Sequence, residues 1–247
     1  MTATLSNDRR AGLAARAAVS TRWLPLSLAV IAGMVDLSSF VSLGGVFTAH
    51  ITGNLVVLAA QVVAGQPTMI SYTLSVPVFM LVLFLTRLLA GGLERAALDT
   101  LGPLLLLQLL SLAVFLVLCV TAGPWIDPNA AAAIFAGMFG VAAMAVQNAL
   151  VQISLQGAPS TAAMTSNVTR FTMDLGAMLL GRDPDEVVQA RSRAQHTWPA
   201  IVGFTVGCGL GAACEAAVGL WSSALFAGLA LLALVMGVAA TLDGGRP

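Results

Sequence analysis

The sequence predicts an all-α polytopic membrane protein built from two structural repeats. Three observations carry that prediction. Hydrophobic residues fill 58% of the 247 positions and charged residues 9%, whereas an ordinary soluble domain carries roughly 25% charged residues. Apolar stretches near the ~20 residues that a membrane helix needs recur along the whole chain. The Gly, Thr and Asn residues of one break in this pattern also recur 113 positions further on. Mean hydropathy is +0.93. Formal net charge is zero, so no nucleic-acid partner is expected.

Residues 1–22 are polar and carry Arg9, Arg10, Arg16 and Arg22, which predicts a disordered cytoplasmic tail with Trp23 marking the membrane interface. The apolar run that follows is far longer than the core of a signal peptide. Residues 23–247 then form a single integral membrane domain. Its apolar segments fall at 24–43, 46–64, 68–91, 103–122, 130–153, 161–181, 197–217 and 221–241. Gln66-Pro67, Gly102-Pro103, Gly123-Pro124, Asp127-Pro128, Pro159 and the polar run 182–196 separate them. Pro25, Pro77 and Pro199 fall at or inside helices as kink positions. Continuous Ala/Leu/Gly-rich segments exclude the alternating pattern of a membrane barrel.

Arginine distribution decides between two topologies. All eleven basic residues are Arg, and nine of them fall in the N-tail, around Arg87 and Arg95, and in 182–193. With eight full spans the Arg95 loop falls outside the cell. If instead 46–64 and 161–181 enter and leave on one side, six full spans remain. The N-tail, the Arg95 loop, the 182–196 loop and the C-terminus then all lie inside, as the positive-inside rule favours.

Those two exceptional segments resemble each other. At an offset of 113, Gly44 matches Gly157, Thr48 matches Thr161, Thr52 matches Thr165 and Asn54 matches Asn167. Repeat one covers about 24–122 and repeat two about 130–241. Three full spans per half invert the second half relative to the first. Secondary transporters use this plan, with broken helices meeting near the midplane.

Candidate site residues follow from polarity at membrane depth. Asp36 is the sole acid between Arg22 and Arg87. Such a residue marks a functional site by default, as a ligand or a proton carrier, although a structural pair with a His or Arg is the bland alternative. His50 stands beside Thr52-Gly53-Asn54 and can relay protons. Thr52, Asn54, Gln147, Asn148, Thr165 and Asn167 supply substrate-binding hydroxyls and amides. Helix–helix packing competes as an explanation of the Thr and Asn positions. Arg170 can hold an anionic substrate, or pair with Asp174 at i, i+4 on the same helix face. Glu215 is read as interfacial and receives no role. The three cysteines lack metal-ligand spacing, and no catalytic signature is present, so neither an enzyme nor a metal or other cofactor is expected.

Gly33-Met-Val-Asp36, Phe47, Thr52-Gly53-Asn54, Gln147-Asn148 and Thr165-Ser166-Asn167 together resemble the YoaK-like family of bacterial membrane proteins of unknown function. The resemblance runs from Trp23 over nearly the whole chain. The second half departs from it with Ser166 where a Gly is common. It implies an all-helical integral membrane protein and no established substrate.

The expectation is therefore a secondary transporter or permease in the bacterial inner membrane, with both termini cytoplasmic. Its partners would be the lipid bilayer and an unidentified small solute bound between the repeats, with self-association left open. The rival is a non-transporting scaffold or subunit that binds a partner through its helices.

Overall fold

The structure is a computed structural model that describes residues 23–123, 127–155, 157–161 and 163–244. The expected tail, 1–22, lies outside the described residues. Every regular element within them is helical. Helix α1 spans Trp23–Ser42. It is followed by α2 (Ile51–Val63), α3 (Ile70–Arg95), α4 (Leu101–Ala122), α5 (Ala131–Ser154), α6 (Met164–Leu180), α7 (Pro184–Val218) and α8 (Ser223–Gly244), with a 3-10 turn at Gly219–Ser222 before α8.

Length sorts these helices. Helices α1, α3, α4 and α5 are each long and apolar enough to cross a membrane, and so is the stretch Pro184–Thr241, which holds α7 and α8. Helix α2 has 13 residues and α6 has 17. They extend about 20 Å and about 26 Å, short of the ~30 Å hydrocarbon core.

Hydrogen bonds show where the short helices go. Asp36 stands six residues before the end of α1, about 9 Å below it. Its carboxylate accepts from the backbone N–H of Thr48 at 2.7 Å and of Ala49 at 2.8 Å. The chain therefore reverses after Ser42 and descends beside α1. Gly44 and Gly45 make the reversal at φ 74° and 94°, a region that costs a side-chain-bearing residue dearly. Helix α2 climbs back out, because Tyr72 in the first turn of α3 donates to the Gly44 carbonyl at 2.7 Å. The segment is re-entrant.

The second half repeats this from the opposite face. Gln147 stands seven residues before the end of α5, and its Nε2 donates to Thr161 Oγ1 at 2.8 Å. The turn after α5, with Gly157 at φ 85°, thus folds back to the level of Gln147 before α6 begins. Because Gln147 Nε2 also donates to Leu28 O at 2.9 Å, the end of α5 lies beside the start of α1, and the halves are inverted.

The ends fall on two faces. On one, Thr100 Oγ1 and Ser154 Oγ are 2.9 Å apart, and Gly102 faces Val238 near the end of α8. The start of α1, the α3–α4 turn and the end of α8 share that face with Arg95 and the polar start of α7. On the other, Ser42 meets Glu215 and Gly44 meets Pro128. This grouping of the ends is the one that the six-span reading requires.

One part differs from the sequence reading. The polar run 182–196 is helix from Pro184 onward, continuous with the membrane span through Pro199. The signal for this is local. Asp183 caps Asp185 N, Pro184 occupies the first turn, and Asp185 and Glu186 complement the helix dipole. Helix α7 is 35 residues long, and its first sixteen project about 24 Å beyond the start of α1.

Packing centres on α5, with 78% of its apolar window buried, against 11% for α3. Ala133, Ala136, Gly137, Gly140 and Ala143 keep one side of α5 small, so neighbouring helices approach closely. Helix α5 packs on α3 and α4, and α4 packs on α8, with Phe115 and Phe226 rings 5.6 Å apart. Helices α1 and α7 run parallel and touch through Gly203, Gly207 and Gly211. A Cβ on Gly207 would overlap the Val30 carbonyl oxygen, and one on Gly33 would overlap that of Phe204.

Candidate functional site

Two polar clusters form, one at each re-entrant turn. In the first, Asp36 is 4% exposed and serves as an N-terminal anchor for α2 supplied from α1. Besides the two backbone donors, its Oδ2 lies 2.8 Å from His50 Nδ1. Thr48 Oγ1 stands 3.4 Å from both Asp36 Oδ1 and Ser39 Oγ. A carboxylate in this position meets the positive end of the α2 dipole and has its lone pairs occupied, which is what its burial requires. His50 contacts Phe204 edge-on at 4.9 Å. Its side chain is 32% exposed, and its Nε2 has no hydrogen-bond partner among the described residues.

Asn54 holds the same turn from the other side. Its Oδ1 accepts from Phe47 N at 2.9 Å and its Nδ2 donates to Phe47 O at 2.7 Å. Asn167 does the equivalent work in the second cluster, donating to Ser160 O at 2.7 Å. Phe47 and Ser160 are themselves 113 positions apart, so the repeat extends to individual hydrogen bonds. Asn148 donates to Met144 O within its own helix and accepts from Ser160 Oγ at 3.2 Å. Gln147 Oε1 accepts from Gln108 Nε2 at 2.6 Å. Gln108 is 1% exposed, and its Oε1 is buried with no partner.

The expected residues thus divide into three sets. Asp36, His50 and Asn54 come together at the first turn. Gln147, Asn148 and Asn167 come together at the second. Thr52, Thr165 and Arg170 remain exposed on the half-helices. The two turns are anchored to α1 at Asp36 and Leu28, eight residues and about 12 Å apart along its axis. Buried Ile31, Met34, Leu112 and Met144 are part of the apolar core of the molecule.

One ion pair and one buried carboxylate depart from sequence spacing. Asp174 is not paired with Arg170. It accepts from Arg193 Nη2 at 2.6 Å and Nε at 2.9 Å, which ties α6 to α7. Glu215 is not idle. It accepts from Ser42 Oγ and from Ser222 Oγ, the latter at 2.5 Å, and Ser222 lies 3.5 Å from Ser38. The i, i+4 spacing of Ser38 and Ser42 was the signal for that contact.

A cavity of about 1630 Å³ opens on the Arg-bearing face. Trp23, Arg170, Asp174, Arg193, His196 and Trp198 line it, together with Gly157, Ala158 and Pro159 of the second turn. Among the described residues no group of His, Cys, Asp or Glu is placed to hold a metal ion.

Long apolar helices, two short helices that fold back beside them and an internal repeat define a multi-pass α-helical membrane protein. The chain belongs to the family described as "Protein of unknown function (DUF1275)", whose model matches residues 24–238. No curated protein and no solved structure matches it.

Proposed function

We propose that the protein is a secondary transporter or permease for a small solute, in the bacterial inner membrane, with the Arg-bearing face and both termini cytoplasmic. The observation that carries this reading is the pair of re-entrant turns. They dip into the membrane from opposite faces in one repeat register, and a cavity leads from the Arg-bearing face to one of them. Inverted repeats with broken helices are the construction that lets one half rock against the other.

In this reading the described turn residues 157–161 are the closed gate. From its Thr161 a ladder runs inward through Gln147 to Gln108 and ends in the unpartnered Gln108 Oε1, ready to accept from a solute donor once the gate moves. Arg170 and Thr165 are the residues a solute meets first. Asn54, Asn148 and Asn167 position the turns. The Asp36–His50 pair is the proton-coupling element, with His50 Nε2 as its open end.

A second reading has its own support. Asp36, Asn54 and Asn167 are buried with their polar atoms engaged, as a non-transporting scaffold would require. An untargeted comparison of metabolites in deletion and overexpressing strains decides between the two. Transport expects at least one solute to change in opposite directions in the two strains. Thr169→Trp, which fills the cavity without touching the turns, should cancel the change. No reciprocal change would leave the scaffold.

A further inference from the structure

We propose that the cavity on the Arg-bearing face binds an anionic group of carboxylate or phosphate type, held by the Arg170 guanidinium. The inference deepens the transport reading by naming the ligand class of its entrance.

The argument begins with charge. Asp174 is the sole acid among the described residues that line this cavity, and its carboxylate is already taken by Arg193. Arg170 faces the same space one helical turn away and makes no hydrogen bond or ion pair with any described residue. Counting His196 as neutral, the described residues of the cavity wall carry one uncompensated positive charge. The α6 geometry keeps it there. Asn167 is clamped to Ser160 and Asp174 to Arg193, so the helix on which Arg170 stands is pinned a turn to either side.

Surroundings complete the argument. Trp23 and Trp198 line the cavity and are 51% and 46% exposed, which sets the site at the depth of an interfacial aromatic belt. There the local dielectric is below that of water, and a fixed cation attracts an anion more strongly. A guanidinium offers a planar fork of donors that matches carboxylate and phosphate oxygens. Arg193 is 55% exposed and has donors left for the same anion.

Two sources present this chemistry, a soluble anion and the headgroup of an anionic lipid. The test uses the full chain in neutral detergent at constant ionic strength, reading tryptophan emission. One titration uses inorganic phosphate, a second short-chain phosphatidylglycerol, and a control short-chain phosphatidylcholine. The expected result is a saturable response to at least one anionic probe, lost in Trp198→Phe and weakened at least tenfold in Arg170→Gln, with Arg170→Lys in between. Saturation by phosphate assigns the site to soluble anions, and saturation by phosphatidylglycerol alone assigns it to a lipid headgroup. No saturable response, or the same affinity in folded Arg170→Gln, overturns the proposal. The metabolite comparison fails separately. Arg170-dependent binding by a chain that moves no solute would keep this site and end the transport reading, and transport without binding would do the reverse.

Discussion

Replacing Asp36 by alanine should come close to unfolding the protein, while replacing it by asparagine should not. In alanine the backbone N–H groups of Thr48 and Ala49 lose their acceptor. Both residues are buried, at 0% and 3% exposure, so water does not replace it. Each orphaned donor costs roughly 1–3 kcal/mol, which gives about 2–6 kcal/mol before the loss of the His50 contact is counted. A domain has only about 5–15 kcal/mol to lose. Asparagine keeps an oxygen for the two N–H groups and gives up the charge. Charge-assisted bonds are roughly twice as strong as neutral ones, so its expected cost is about 1–2 kcal/mol. The assay is reversible unfolding by dodecyl sulfate in mixed micelles, followed by near-ultraviolet circular dichroism. Alanine within about 0.5 kcal/mol of wild type would refute the anchor. Asparagine as damaging as alanine would show that the ion pair with His50, and not the backbone contacts, carries the energy.

Gly207→Ala should destabilise the α1–α7 contact by roughly 1–3 kcal/mol through overpacking, whereas Gly209→Ala, whose added Cβ meets nothing within 4 Å, should be neutral or slightly stabilising. Equal midpoints for the two variants in the same titration would rule out the close crossing. Single cysteines at Thr100 and Ser192, in a background lacking the native three, should resist an impermeant periplasmic reagent in intact cells. Labelling at Thr100 but not at Ser192 would contradict the shared face described above.

Much of this architecture can be read from the chain. Gly44 and Gly157 mark the two reversals because a reversal at membrane depth needs a left-handed residue, and few types other than Gly supply one. Asn54 and Asn167 mark the clamps because a turn in lipid must find side-chain partners for its backbone. The meaning of Asp36 is less legible. A lone acid in an apolar run reads as a ligand or a proton carrier, and only the descent of residues 43–50 beside α1 reveals two backbone donors at its oxygens. The partner of Asp174 is hidden for a related reason. Spacing on one helix nominates Arg170, yet the closer donor comes from a neighbouring helix whose approach no local pattern encodes. The start of α7 was legible in Asp183-Pro184-Asp185-Glu186, where a polar run conceals a cap.

The parallel crossing of α1 and α7 bears on how the protein is made. Helix α1 finds its glycine-lined seat in the second half, and α5, which opens the second half, is seated on α3 of the first. The halves are interlocked, not laid side by side. A ribosome emits α1 some 160 residues before the helix that receives it, so the first helix waits in the bilayer with its contact surface uncovered. Neither half is a finished object until the other arrives.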